Sequence, residues 1–87
     1  MSSSALDYKE QKRIESERRK RQTKISRCED EIAQTEEKIE ELSLELQNPE
    51  IASDFEKAFE LSNNINELNN KLDELYKQWE DLNSEEI

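Results

Sequence analysis

The sequence contains no glycine and no histidine, and it has a single cysteine, Cys28, and a single proline, Pro49. The absence of glycine excludes the glycine-rich loops that hold nucleotide phosphates in P-loop and dinucleotide-binding folds. Histidine bases and histidine metal ligands are excluded as well, and one cysteine provides neither an internal disulfide nor a thiolate metal cluster. A lone cysteine suits the reducing cytoplasm, where we expect the protein to work. No apolar run approaches the roughly 20 residues that cross a bilayer, so we expect no membrane contact.

Charged side chains make up 41% of the 87 residues and hydrophobic ones only 31%, a mixture that suits either disorder or a charge-rich helical hairpin. The net charge of −10 is unevenly distributed. Residues 1–28 carry nine basic and four acidic side chains, a net charge of +5, which leaves four basic and nineteen acidic side chains, a net charge of −15, for residues 29–87. The acidic part argues against nucleic-acid binding over the whole surface, while the basic end permits a local contact.

Two segments share a hydrophobic rhythm of alternating three- and four-residue steps, which is the heptad spacing of a coiled coil. Period-two alternation is absent, so strands are not predicted. The first series is Ile14, Arg18, Arg21, Ile25, Cys28, Ile32, Thr35, Ile39, Leu42, Leu46. The second is Ala58, Leu61, Ile65, Leu68, Leu72, Leu75, Trp79, Leu82. The pattern predicts an all-α fold, in which these positions form a seam between two helices.

The single proline separates the two segments. Proline disfavours helix in the residue before it, so the first helix is predicted to span about residues 7–47. The turn is predicted at 48–53 and the second helix at about 54–84, within a hairpin domain of residues 7–87, while residues 1–6 are interpreted as a disordered tail or linker remnant. Ser53 with Glu56 forms a capping-box pattern for the second helix, and Asp54 is a rival N-cap.

Folding the helices antiparallel about Pro49 pairs the two seams without a slip, since the residue numbers of each pair add up to 103 or 104. Cys28, for example, falls opposite Leu75. We expect the seam to be best packed near the turn, and residues 7–17 to overhang without a partner. The short connection favours an antiparallel hairpin that is a monomer, although a dimer could use the same seams.

A dense group of cations is the main candidate site. These six residues could bind phosphates by charge without reading sequence: Arg18, Arg19, Lys20, Arg21, Lys24 and Arg27. The alternative is a charge zipper with the acidic residues of the returning helix, namely Glu80, Asp81, Glu85 and Glu86. Trp79 is interpreted as a seam residue, with a base-stacking platform shared with Tyr76 as the less favoured reading.

No catalytic or metal site is predicted. Cys28 has no histidine to activate it and is expected to be a small buried hydrophobe. The cluster of Glu36, Glu37, Glu40 and Glu41 is expected to be a solvated acidic face rather than a cation site. The chain offers no nucleophile–base pair, so we expect a non-catalytic binding or spacer module without its own cofactor.

Several short motifs together resemble the C-terminal coiled-coil domain of ABC-F ATPases. They are Asp7-Tyr8-Lys9-Glu10 before a basic helix, Asn48-Pro49-Glu50-Ile51 at the turn, and Tyr76-Lys77-Gln78-Trp79 late in the second helix. The resemblance covers nearly all of residues 7–83. It implies a domain excised from a parent with two nucleotide-binding domains that use ATP and magnesium, and a role on the ribosome in translation or antibiotic resistance. We therefore expect the basic helix end to contact ribosomal RNA or protein; DNA binding and a purely structural spacer or oligomerisation role remain as alternatives.

Overall fold

The protein is an antiparallel helical hairpin. The computed structural model describes the backbone of residues 2–84 and the side chains of residues 5–84, and this part contains three helices. They are α1 (Ser2–Leu46), the one-turn helix α2 (Pro49–Ala52) and α3 (Phe55–Ser84). The molecule measures 77 × 15 × 14 Å, and most contacts between helices are those of α1 with α3. The all-α hairpin predicted from the two seams is confirmed.

Helix α1 begins at Ser2, whereas the periodicity predicts a start near residue 7. Residues 2–6, interpreted from the sequence as a tail, are helical. This segment contains no glycine or proline, and Ala5 and Leu6 have high helix propensity. Extending an existing helix by one residue requires no new nucleation, so the helix continues beyond its first periodic residue.

The turn between α1 and α3 has its own short helix. The Asn48 side chain accepts a hydrogen bond from the Glu50 amide at 3.1 Å, and Pro49 follows as the first residue of α2, where its missing N–H is not needed. The chain then passes through Ser53, whose amide donates to the Pro49 carbonyl oxygen at 3.0 Å. The predicted turn at 48–53 is thus an N-capped helical turn rather than an irregular loop.

Asp54, not Ser53, caps α3. The Asp54 carboxylate accepts a hydrogen bond from the Lys57 amide at 3.2 Å. Ser53 has φ −84° and ψ −11°, the right-handed helical conformation that ends α2, whereas an N-cap residue needs extended backbone. Its hydroxyl donates instead to the Glu50 carbonyl oxygen at 3.3 Å. The capping box predicted at Ser53 is therefore wrong, because that residue already belongs to α2.

The seam predicted from the heptad spacing is the interface of the hairpin. Every seam position from Arg21 to Leu46 on α1 and from Ala58 to Leu82 on α3 is buried or half-buried. The Cys28 thiol donates to the Leu75 carbonyl oxygen at 3.2 Å, which confirms that pair of the register. Thr35, a polar seam residue, satisfies its hydroxyl by donating to the Glu31 carbonyl oxygen at 2.7 Å.

The best-packed part of the seam lies towards the open end. Cys28, Ile32 and Leu75 form the buried cluster, and Leu72, Trp79 and Leu82 pack against it. The expectation that packing is best near the turn is therefore wrong. Small Ala58 is the first seam residue of α3, while Phe55 and Phe59, which could have filled space there, are 81% and 58% exposed.

The first turns of α1 overhang the end of α3. All described side chains from Ala5 to Lys20 are exposed, which agrees with the predicted overhang at residues 7–17. Contacts within the helix replace packing. Arg13 pairs with Glu10 and, at 3.1 Å, with Glu17, and the Lys12 ammonium lies 5.5 Å from the centre of the Tyr8 ring. Such pairs contribute a few tenths of a kcal/mol each to an exposed helix.

Truncating the central seam should destabilise the protein far more than truncating its outer face. We expect Leu75→Ala to lower the free energy of unfolding by about 2–3 kcal/mol, because it removes a residue of the buried cluster. Leu44, which is 58% exposed, provides the matched control, and Leu44→Ala should change stability by less than about 0.5 kcal/mol. Urea unfolding followed by circular dichroism measures both; equal losses would contradict the seam.

The assignment of the α3 cap can be tested with two neighbouring substitutions. Asp54→Ala should cost about 1 kcal/mol of unfolding free energy because the Lys57 amide loses its partner. Ser53→Ala removes only an exposed hydroxyl contact and should cost less than half as much. A larger loss for Ser53→Ala than for Asp54→Ala in urea unfolding would support the capping box at Ser53.

The stability of the hairpin should fall at alkaline pH through Cys28. Burial raises the pKa of its thiol, and the charges of Glu31 and Glu29 raise it further. Because the pKa is higher in the folded state, the stabilisation is complete below the unfolded value of about 8.5 and is lost as the pH rises through the folded value. The urea midpoint should therefore decrease more between pH 7.5 and pH 10.5 for the native chain than for Cys28→Ala. Parallel pH profiles of the two proteins would contradict this.

Candidate nucleic-acid interface

The six cations predicted as a phosphate site lie on α1 where the last turns of α3 end. Residues 18–27 contain six basic side chains and no carboxylate, over about 15 Å of helix. Five of the six are exposed, and Arg21 is half-buried in the seam. The helix positions them without a loop or ligand, so the arrangement is set by the local backbone.

Helical geometry places Arg21 in the seam and distributes the other five residues around α1. Since successive residues are about 100° apart, Lys20, Lys24 and Arg27, spaced by four and three, share one face of α1 beside the seam. Arg18 lies on the other side of the seam, and Arg19 lies on the outer face. The predicted cluster is therefore three cations on one face, with Arg21 next to them in the seam, and two cations that point elsewhere.

Two shallow grooves between α1 and α3 follow this basic face. The larger, of about 380 Å³, is lined by Lys24, Arg27, Cys28, Glu31, Gln78, Asp81 and Leu82. The second is lined by Glu17, Lys20, Arg21, Lys24 and Leu82. Lys24 borders both. The structure thus brings together Lys20, Arg21, Lys24 and Arg27 along one side of the open end, which we call the basic face.

The two lysines and Arg27 of the basic face form no ion pair with the described part of α3. Among residues 5–84, the side chains of Lys20, Lys24 and Arg27 form no ion pair, and neither does Arg18. Arg19 is paired weakly with Glu15 on its own helix, at 4.0 Å. The described half of the predicted charge zipper, with Glu80 and Asp81, is not formed; Glu85 and Glu86 lie outside the described residues.

Carboxylates nevertheless limit where an anion could approach. Glu31 and Asp81 line the larger groove and Glu17 the smaller one. The lining of each groove is therefore of mixed charge, while Lys20, Lys24 and Arg27 are exposed to solvent. This arrangement suits surface contact with a polyanion, and it does not enclose a small anion.

Two hydrogen bonds between helices were not predicted from the sequence. The Tyr76 hydroxyl donates to Glu36 at 3.1 Å and the Trp79 indole N–H donates to Glu29 at 3.1 Å. Side chains lean towards the N-terminus of their own helix, so on antiparallel helices these long residues meet carboxylates displaced from the direct register. The hydrogen bond from Tyr76 to Glu36, aided by desolvation, raises the pKa of the tyrosine.

These contacts decide the role of the late aromatic residues. Trp79 is half-buried against the Cys28–Ile32–Leu75 cluster, so its interpretation as a seam residue is confirmed. Tyr76 is 41% exposed, but its hydroxyl is hydrogen-bonded to Glu36. Neither residue of the alternative stacking platform is therefore a freely exposed ring. A signal was present in the sequence: aromatic residues with a polar tip next to a seam seek a hydrogen-bond partner.

The acidic side of the hairpin is used for structure and solvation. Of its carboxylates, Glu36 accepts from Tyr76, and Glu41 lies 3.5 Å from the Lys38 ammonium. Within residues 2–84, no group of acidic and cysteine side chains converges as a metal ion would require. None of the described helices is long and apolar enough to pass through a bilayer.

Comparison with known proteins gives one match, to a family model. Residues 5–84 match the model described as the ABC transporter C-terminal domain, a range that includes α1, the turn and α3. No curated protein and no solved structure gives a significant match. Because the match covers nearly the whole hairpin, the chain belongs to the ABC transporter C-terminal domain family.

Proposed function

We propose that this hairpin is the non-catalytic C-terminal binding module of an ABC-F-type ATPase, and that it contacts the ribosome through the basic face of α1. Membership of the ABC transporter C-terminal domain family supports the parent class. The ABC-F subtype is supported by the motifs at Tyr8, Pro49 and Trp79. The chain has no glycine-rich phosphate loop, so ATP and magnesium belong to the parent's nucleotide-binding domains.

The observation that carries the proposal is the separation of charge along a thin rod. The net charge of residues 1–28 is +5 and that of residues 29–87 is −15, on a molecule 77 Å long. The Debye length at physiological salt is about 8 Å, so the carboxylates at the turn do not act on the basic face, and those beside it, such as Glu17, Glu31 and Asp81, reduce its field only in part. A polyanion is attracted to the exposed cations of α1 and repelled by the acidic turn, which orients the hairpin as it docks.

The contact is electrostatic and carries no sequence readout. Lys20, Lys24 and Arg27 can reach phosphates on one side, and binding releases counterions from the nucleic acid. The carboxylates beside them repel phosphates, which disfavours insertion of this part of the hairpin deep into a groove of a duplex. Ribosomal RNA, with or without adjacent protein, is therefore preferred over DNA; in the parent, the module would help to position the ATPase for translation regulation or antibiotic resistance.

Neutralising the basic face should weaken binding and flatten its salt dependence. For Lys20→Gln/Lys24→Gln/Arg27→Gln we expect at least about tenfold weaker co-sedimentation with ribosomes at 0.1 M salt. The slope of log K against log salt should fall by about 2–3, since each lost phosphate contact removes about 0.7–0.9.

The matched control changes the same net charge on α3. Lys57→Gln/Lys71→Gln/Lys77→Gln removes three exposed lysines that form no ion pair among the described residues. It should bind within about twofold of the native chain. Equal losses in the two triple variants would refute a defined basic face, and duplex DNA that displaces the chain from ribosomes at equal nucleotide concentration would favour the DNA-binding alternative.

A further inference from the structure

A second surface lies at the turn end of the rod, on the first turns of α3. Phe55 is 81% exposed and Phe59 58% exposed. Their rings stack with centroids 6.0 Å apart and planes 13° from parallel, so they form one apolar surface, the Phe55–Phe59 pair. In a chain with only two phenylalanines, both stand outside the seam and in solvent.

The chain around this pair is acidic. Residues 45–70 contain a single basic side chain, Lys57, and six carboxylates, which are Glu45, Glu50, Asp54, Glu56, Glu60 and Glu67. Glu56 precedes Phe59 by three residues and therefore lies beside it on the helix surface, and Glu60, four residues after Glu56, lies next to Glu56 on the same side of the helix. Neither of these two glutamates forms an ion pair in the described part of the chain, so both are available to a partner.

The charge at this end selects the class of partner. An exposed aromatic pair can stack with nucleic-acid bases or enter a membrane surface. Both partners would bring phosphates against Glu56 and Glu60, which is repulsive. A second copy would meet the same carboxylates if it docked through its own turn. A protein segment that combines apolar side chains with lysine or arginine satisfies both the rings and the carboxylates.

We propose that the Phe55–Phe59 pair, with Glu56 and Glu60, is a docking site for a basic amphipathic helix of a partner protein. This site is independent of the basic face. Along the helix axis the two lie about 30–40 Å apart at 1.5 Å per residue, which is several Debye lengths, so both can be occupied at once. The hairpin then links a polyanion at its open end to a cationic protein at its turn.

A synthetic 18-residue helical peptide of leucine and lysine serves as the probe, with the leucine–glutamate version as its charge control. Binding to the ¹⁵N-labelled chain is followed by amide chemical shifts. The lysine peptide should bind in the micromolar range and shift the amides of residues 54–63. Phe55→Ser/Phe59→Ser should weaken this binding at least about tenfold, as expected for central aromatic anchors.

Two further variants separate the contribution of the phenylalanine rings from that of other exposed apolar surface and from that of the carboxylates. Leu44→Ser, at a residue as exposed as Phe59, should leave binding within about twofold. Glu56→Gln/Glu60→Gln should weaken binding several-fold and reduce its sensitivity to salt, which keeps the proposal testable if the double serine variant is poorly folded. Circular dichroism checks the fold of each variant.

Several outcomes would overturn the proposal. They are lysine-peptide binding that survives loss of both phenylalanines, equal binding of the leucine–glutamate peptide, and binding of an RNA 20-mer or phosphatidylglycerol vesicles that requires the phenylalanines. Self-association of the chain that Phe55→Ser/Phe59→Ser abolishes in sedimentation equilibrium would assign the surface to a second copy instead. Ribosome binding by the phenylalanine variant reports on the basic face alone, so the two proposals can fail separately.

Discussion

The antiparallel register of α1 on α3 is the constraint on which the other features of this protein depend. It arises from two local properties, a heptad seam on each helix and a turn in which Asn48 caps a single helical turn that begins at Pro49. The hydrogen bond from Cys28 to the Leu75 carbonyl oxygen lies within this register, in the best-packed part of the seam. Once the register is set, α3 ends beside residues 20–28 of α1, and the preceding turns of α1 must extend beyond it.

A two-helix seam covers each side chain only in part, and no described side chain is fully enclosed. The structure supplements this limited burial with polar contacts at the edge of the seam. Tyr76 and Trp79 each present an apolar ring to the interface and donate a hydrogen bond to a glutamate of α1. Part of the acidic surface of α1 is thereby used to hold α3, which explains why a strongly charged chain can still form a defined hairpin.

The length of the hairpin separates the basic face from the acidic turn. In a compact domain of 87 residues, an excess of negative charge would reach every surface. In a rod 77 Å long the carboxylates at the turn do not act on the basic face, because salt screens charges over about 8 Å. The basic face and the acidic turn with its phenylalanine pair are thus separate electrostatic environments. The helices hold them about 30–40 Å apart along the axis.

The helices, the register and the overhang could be predicted from the sequence, because a heptad pattern and a proline turn are local signals whose consequences are geometric. Seam residues such as Cys28 and Leu75 followed from spacing alone. The choice of Asp54 over Ser53 as cap did not, since it depends on Ser53 already being the end of α2. The exposure of Phe55 and Phe59 and the hydrogen bonds to Glu29 and Glu36 did not follow from spacing either, because they depend on how far each side chain leans across the interface.

For the candidate site, the sequence by itself determined that six cations lie within ten residues. Helical periodicity decides which of them share a face; only the tertiary structure decided which of these faces borders α3, because that depends on where α3 ends and on which side of α1 it packs.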